Sequence, residues 1–308
     1  MIAEQLIRAG LGFLRIVDRD LVELTNLQRQ VLFDESDAAG EIPKSVAAAN
    51  RLAEVNSQVR VESIVADVNA MNIESLCDVD LILDGTDNVA TRYLINDAAV
   101  SRGIPWVYGG CVGVGGRAWG IWPGETACLR CVFPEPPKAE ELATCDTAGV
   151  LGPAAGVVGS LQAATAIRFL VEGKSAAKKL PGLISVDVWS GEFRALASAA
   201  RPALDCPCCA RRNFPFLSTN GRDFTTNLCG RSAVQVLRAG PAARIDLAAT
   251  ALRWQKVGAV SECKWFIRCK LTDPAGIDLT LFPDGRLVVH GTTELMRAAS
   301  LYARFVGK

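Results

Sequence analysis

The first third of the chain alternates short apolar runs with longer mixed ones, and this alternation constrains the fold more than any other feature. Phe13 to Val17, Val59 to Val65, Val79 to Leu83 and Pro105 to Tyr108 each read as a strand. Between them, Pro43 to about Glu54 and Thr91 to Arg102 read as helices, the first opened by its proline. Residues 1–10 read as a helix body ending on Gly10. Strands and helices alternating at this spacing predict an α/β fold with a largely parallel, doubly wound sheet. Such sheets bind ligands outside the carboxyl ends of their strands. Chemistry is therefore sought in the residues that follow each strand.

Two strand ends carry acids. The run Ile16-Val17-Asp18 ends on a carboxylate that can accept hydrogen bonds from ribose hydroxyls. The polar segment after it holds Asn26, Arg29 and Gln30, and the forked donors of Arg29 suit a phosphate. Lys44 stands near the start of the next helix. Asp84-Gly85-Thr86-Asp87-Asn88 closes a later strand, with Arg92 one turn into the helix beyond. Asp87 offers the hard oxygen that Mg²⁺ needs beside a triphosphate. Alone it could equally cap the following helix. Grouped with Asp18, Arg29 and Lys44 near one sheet edge, it points to a mononucleotide site. A nicotinamide-dependent oxidoreductase would also use Asp18, but would leave Arg29 and the paired cysteines unexplained. The Gly-rich phosphate loop expected about 20 residues before such an acid has no room between Met1 and Asp18.

Residues 109–124 are Gly-rich and predict a hairpin around Gly115-Gly116. Residues 134–144 form a polar, Pro-rich loop. Gly152 to Glu172 is a helix built on small residues, which predicts a buried or subunit-interface position. Leu183–Trp189 and Glu192–Ala197 read as a hairpin around Ser190-Gly191. Composition shifts after Cys206–Cys209, so residues 1–213 and 214–308 are expected as two domains, the second a small α+β unit. There, Asp246 caps a helix to Lys256, and Trp265–Leu271, Ile277–Phe282 and Leu287–Val289 are strands. Pro283 to Arg286 is a turn, and Thr292 or Thr293 caps a last helix with Leu295, Met296, Ala299, Tyr302 and Phe305 on one stripe.

Lys+Arg and Asp+Glu balance at 33 each, which favours neither nucleic acid nor an anionic membrane as partner. No apolar run approaches the roughly 20 residues of a membrane span, and no signal peptide is visible. A cytoplasmic location follows as the default. Eleven cysteines in such a chain point to metal ligation or nucleophilic chemistry rather than disulfides. Cys128-x-x-Cys131 and Cys206-x-x-Cys209 offer Zn²⁺ four thiolates, a closed structural set. The long gap between the pairs leaves isolated buried cysteines open as the alternative. Cys208 adds a third thiol to the second pair, but only Cys209 restores the two-residue spacing. Cys145 precedes the small-residue helix, where a thiol's pKa can fall; a small buried residue is the other reading. His290 is the one histidine, which nearly excludes a Ser-His-Asp triad and any multi-histidine metal site, and it reads as structural.

These residues together resemble the ThiF/MoeB family, adenylyltransferases of the ubiquitin-activating type. The matching residues are Ile16-Val-Asp18-Arg-Asp20, Asn26-Leu-Gln-Arg29-Gln30, Pro43-Lys44, Asp84-Gly-Thr-Asp87-Asn88 with Arg92, both cysteine pairs, and Gly149-Val-Leu-Gly-Pro153 with Gly159-Ser-Leu-Gln162. The match runs in order from residue 1 to about 213. It implies a Rossmann-like fold with an antiparallel extension. It implies ATP-dependent adenylylation of the C-terminal Gly carboxylate of a small ubiquitin-like sulfur carrier, of ThiS or MoaD type. The product would be thiamine, molybdopterin or a related compound.

By the same resemblance, Asp18 holds the ribose of ATP. Asn26, Arg29 and Lys44 contact phosphates, and Asp87 binds Mg²⁺ and positions the reacting centre. Cys145 matches a cysteine that carries the activated carrier as a sulfur-linked acyl species, and the paired cysteines match zinc ligands. A homodimer and a sulfur donor such as a cysteine desulfurase are implied partners. The tail motifs, Leu228-Cys-Gly-Arg231-Ser-Ala-Val-Gln235 and Phe282-Pro-Asp-Gly-Arg286, look like an extension carried by some members. One departure stands out. Ala3-Glu4-Gln5-Leu6 matches the helix directly after the family's Gly-rich loop, so the first strand and loop have no counterpart and the sheet is expected to lack a central member. Either Met1 is an internal start of a longer protein, which the intact downstream residues favour, or the chain is a degenerate, non-enzymatic dimer partner or carrier-binding scaffold. Little ATP–pyrophosphate exchange is expected from the chain as written.

Overall fold

The computed structural model describes residues 1–137, 148–218, 224–228, 232–237 and 245–307. The chain divides into two compact units, Met1–Ser218 and Thr219–Lys308.

In the first unit, β1 (Phe13–Val17) pairs parallel with β2 (Arg60–Ile64). The connection carries α2 (Glu35–Ala39) and the Ala-rich α3 (Lys44–Val55), which buries Ala47, Ala48 and Leu52. After α4 (Ile73–Leu76), β3 (Ile82–Leu83) pairs parallel with β4 (Trp106–Val112) by way of α5 (Val89–Arg102). The class is α/β, as the alternation predicts, but among the described strands of this unit parallel pairing is confined to these two pairs. β4, β5 (Gly115–Ile121), β6 (Leu183–Asp187) and β7 (Glu192–Leu196) are mutually antiparallel. Hairpin turns of a few residues join β4 to β5 and β6 to β7, and a parallel pairing needs a long crossover.

The strands form two sheets, β1-β2 and β3-β4-β5-β6-β7. Helix α1 (Ile2–Arg8) serves both. Its Leu6 joins Val107, Ala163 and Phe169, while Ile7 joins Leu52 and Val59.

The hairpin expected at Gly115-Gly116 turns two residues earlier. Val112 pairs with Gly115, leaving Gly113 and Val114 as the loop, with Gly113 at φ +60°. The later glycines lie within β5 because a helix lies close upon them. A Cβ at Gly116 would meet Val158 at 2.6 Å, and one at Gly120 would meet Thr165 at 2.7 Å. Both partners belong to α7 (Gly152–Glu172), the small-residue helix, which stands in the chain between the one-turn helices α6 (Leu129–Val132) and α8 (Lys174–Ala177) and packs Ala154, Val158, Ala163, Ala166 and Phe169 inward. This helix corrects the reading of apolar runs. With 21 residues and a mean hydropathy of 1.5 over its best window, it has the length and composition of a membrane span. It lies against β4 and β5.

Phe214, Phe216 and Leu217, which the sequence reading assigns to the smaller domain, pack against the first unit's main core beside Tyr93 and Trp106.

The second unit is an antiparallel sheet in the order β10-β11-β12-β13-β9-β8. Its strands are β8 (Phe224–Leu228), β9 (Ala233–Leu237), β10 (Gly258–Glu262), β11 (Ile267–Leu271), β12 (Asp278–Leu281) and β13 (Leu287–His290). Ile267, Leu279 and Val289 form a core with Trp254 of α9 (Leu247–Trp254) and with Tyr302 and Phe305 of α10 (Leu295–Phe305). Asp246 caps α9, its Oδ1 accepting from Ala249 N at 3.0 Å. Neither threonine caps α10: Glu294 occupies the cap position, and Thr292 Oγ1 accepts from Glu294 N at 3.2 Å before the helix begins. The buried stripe is Ala298, Leu301, Tyr302 and Phe305, with Leu295 and Met296 exposed. His290 ends β13, its Nε2 3.5 Å from Thr280 Oγ1. The two tail motifs meet at Gln235 and Arg286, with Nη1 3.4 Å from Oε1.

Candidate active site and cysteine cluster

Asp18 directly follows β1 and extends the ladder through its N–H to Ile64 O at 3.2 Å. Its Oδ1 accepts from Asp20 N at 2.8 Å. Burial pushes its carboxyl up to about 6 against the pull of Lys44, and the negative charges of Asp20 and Asp87 add to the rise. Lys44 is placed by a short antiparallel contact. Leu21 bridges Pro43, Val22 N donates to Ile42 O at 2.9 Å, and Lys44 N donates to Asp20 O at 2.9 Å. The buried Lys44 Nζ then lies 3.2 Å from Asp20 Oδ2.

Asn26 closes a single 3₁₀ turn, Leu24–Asn26, and is buried. Its Oδ1, Gln30 Oε1 and Ser45 Oγ are buried without a hydrogen-bond partner among the described residues. Buried polar atoms of this kind are normally satisfied, so a bound ligand would complete them. An amide Oδ1 accepts, which suits a ribose hydroxyl; only the Nδ2 of Asn26 could serve a phosphate oxygen. Arg29 is half-buried, with Nη1 donating to Thr25 O at 3.2 Å. Its segment rests on the entrance to α7, where a Cβ at Gly152 would meet Gln28 O at 2.6 Å.

Across the crevice, Asp84 ends β3 and is 1 % exposed. Arg92 Nε pairs with its Oδ2 at 3.1 Å, and Arg92 Nη2 donates to Thr86 O at 2.5 Å and Gly109 O at 3.2 Å. Thr86 donates through N and Oγ1 to Asp84 Oδ1 at 2.8 and 2.7 Å. Burial raises the Asp84 carboxyl, and Arg92 opposes it. Asn88, not Asp87, caps α5, accepting from Thr91 N at 2.9 Å. Asp87 is thereby left exposed at the mouth, its charge felt by both Asp18 and Arg19. The sequence reading missed Arg19 and Asp67, which pair at 2.9 Å. Asp67 follows β2 as Asp18 follows β1, a signal that could have found it.

The four paired cysteines converge, with all Sγ atoms within 4.8 Å of one another. Cys128–Cys206, Cys128–Cys131 and Cys131–Cys209 are 3.6, 3.8 and 3.4 Å apart. Thiolates about 2.3 Å from a tetrahedral ion stand about 3.8 Å from each other, so the set fits Zn²⁺. Hydrogen bonds from Cys131 and the other neighbouring thiols hold the Cys128 thiol well below its ordinary range, toward the ligating form. Cys208 has other partners: its Sγ donates to Asp97 Oδ1 at 3.4 Å and accepts from Asn96 Nδ2 at 3.2 Å. Asp97 also faces Arg130 Nη1 at 3.5 Å and accepts from Phe216 N at 3.2 Å, which ties the cysteine cluster to α5. Cys145 lies outside the described residues.

Acids that follow β1 and β3, the ion pairs around them and four converging cysteines define a mixed α/β protein with a candidate ligand site and a candidate metal site. The chain belongs to the ThiF family, whose model matches residues 1–208. It is 41% identical over 307 residues to the sulfur carrier protein ThiS adenylyltransferase of Bacillus subtilis (strain 168), covering 99% of this chain and 88% of that protein. It is 39% identical over 215 residues to the sulfur carrier protein adenylyltransferase of Thermus thermophilus, covering 68% of this chain and 77% of that one. Among solved structures, Escherichia coli MccB with ATP matches with a TM-score of 0.58 at 22% identity, over 68% of this chain and 62% of that one. At that identity the likeness shows the fold, and the chain spans about six-tenths of the MccB chain.

Proposed function

We propose that this protein uses ATP to adenylylate the C-terminal glycine carboxylate of a small ubiquitin-like sulfur carrier. The reading is carried by near-full-length similarity to an enzyme named as a ThiS adenylyltransferase, in a chain whose Asp18 feels the charges of both Lys44 and Asp87. A carrier carboxylate oxygen attacks the α-phosphorus, the bond to the β-phosphate oxygen breaks, and pyrophosphate leaves with that electron pair. Attack by one anion on another is opposed by charge, and fixed cations aimed at the phosphates offset this. Lys44 and Arg29 take that role, Asp18 and Asn26 hold the ribose side, and Asp87 holds Mg²⁺. When bound, Mg²⁺ supplies charge neutralisation on the triphosphate. Cys128, Cys131, Cys206 and Cys209 hold a structural Zn²⁺.

Downstream, the Cys145 thiolate attacks the carrier's acyl carbon and forms a thioester as AMP leaves with the electron pair of the acyl–oxygen bond, with a cysteine desulfurase as the proposed sulfur donor. The protein works in the cytoplasm as a homodimer. The test is pyrophosphate exchange into ATP with a carrier ending in Gly-Gly. Exchange should depend on the carrier and vanish when its terminal glycine is removed. Exchange indifferent to that glycine, or absent with every such carrier even after an upstream strand and Gly-rich loop are restored, overturns the reading.

A further inference from the structure

We propose that Gln162 is a positioning residue that wedges β3 and β4 apart at their carboxyl ends and so aligns Asp84 and Arg92 on the crevice. What the crevice does rests on the adenylylation reading; the wedge itself rests on geometry alone. β3 and β4 run parallel, with Ile82 beside Trp106 and Leu83 beside Val107. The ladder reaches Asp84, whose N–H donates to Val107 O at 2.9 Å. In a continuing parallel ladder, Asp84 O would next accept the amide of Gly109. That amide turns instead toward the Asp84 carboxylate, 3.5 Å from Oδ2. Asp84 O is taken by Gln162 Nε2 at 2.7 Å, which also reaches Val107 O at 3.3 Å. A side-chain amide from α7 thus stands in for a backbone N–H at the point where the strands part.

Two further observations fit a wedge. Gln162 is 3 % exposed, although it is a polar residue on a helix made largely of small apolar ones. A Cβ at Gly109 would fall within its carboxamide, so glycine is the residue that leaves room for it. The consequence reaches the crevice directly. Asp84 is held at its carbonyl by Gln162 and at its carboxylate by Arg92, Thr86 and Gly109. Arg92 also donates to Gly109 O, so its position depends on where β4 diverges. Without the Gln162 donor, Gly109 N would close the ladder onto Asp84 O, abandoning the carboxylate and drawing Arg92 with it.

The experiment uses the full chain with Gln162→Met, which keeps volume and removes the donor, and Gln162→Glu, which keeps shape and leaves only acceptors. Turnover in pyrophosphate exchange should fall between about tenfold and a hundredfold, as for a small misplacement. KM for ATP should stay within about twofold, because Asp18, Asn26 and Lys44 lie in the segment that connects β1 to β2, away from the β3–β4 pair. The Arg92 Nε–Hε resonance should shift or broaden in both variants. In the unsubstituted protein, the Gln162 side-chain amide protons should exchange slowly with solvent. Fast exchange there overturns the wedge whether or not the variants fold. A folded variant with full turnover and an unmoved Arg92 resonance also overturns it. If the unsubstituted protein shows no exchange activity, the two NMR measurements still decide the wedge, and the adenylylation reading is tested separately with an upstream strand and Gly-rich loop restored.

Discussion

At the scale of single residues, Asp18 gives the sharpest handle. Its folded carboxyl titrates near 6, against 3.8 for the ordinary group, so the folded state binds the proton more tightly. Its stabilising contribution is complete below about pH 4 and disappears as pH rises through 6. Asp18→Asn keeps an acceptor for Asp20 N and removes the buried charge. The ligand-free variant should therefore be more stable at pH 8 by roughly 2 kcal/mol, a gain that vanishes near pH 4. Urea midpoints at the two pH values check this. For the cysteines, Cys209→Ser should strip the metal, while Cys208→Ser should keep about one zinc per chain by metal analysis. Cys145→Ala should leave adenylation intact and block sulfur transfer; equal loss of both would make that thiol structural. Asp18, Lys44 and the cysteine pairs were legible because strand ends and spacing are local signals. Gln162 was legible only as part of a motif, since its role depends on a strand pair more than fifty residues away.

At the scale of elements, helices and strands bounded by strong punctuation were readable, and those defined by partners were not. The span of α7 follows from its small-residue run and Pro153. The β4–β5 turn was misplaced because Gly115-Gly116 looks like turn chemistry, whereas α7 requires glycine within the strand. β8, β9 and β10 escaped detection because short strands of ordinary composition are stabilised mainly by their neighbours. The phase of α10 was misjudged because Leu295 and Met296, apolar in sequence, face solvent. For α5, the side chain of Asn88 supplies the cap, and Arg92 lies one turn beyond it. Asn88→Ala should cost about 1 kcal/mol, read as a lower urea midpoint.

At the scale of the whole molecule, the first unit needs the segment that follows its cysteines. Phe216 donates its N–H to Asp97, stacks near Tyr93 with centroids 5.1 Å apart, and lies under the Arg130 guanidinium. A chain ending at Ser218 should hold zinc and melt as one unit. A chain ending at Asn213 should melt lower by at least roughly 5 °C, since a buried aromatic is lost. Equal melting temperatures would place the boundary earlier.

The cysteine cluster has a consequence in time as well as in space. Cys128 and Cys206 are 78 positions apart, and α7 and the β6–β7 hairpin lie between them in the chain. An ion held there acts as a cross-link whose loop-closure entropy has already been met by the polypeptide. Four-thiolate capture would then require the two ends of that loop to have come together. The zinc-to-protein ratio of a fresh preparation would therefore count the molecules that finished folding.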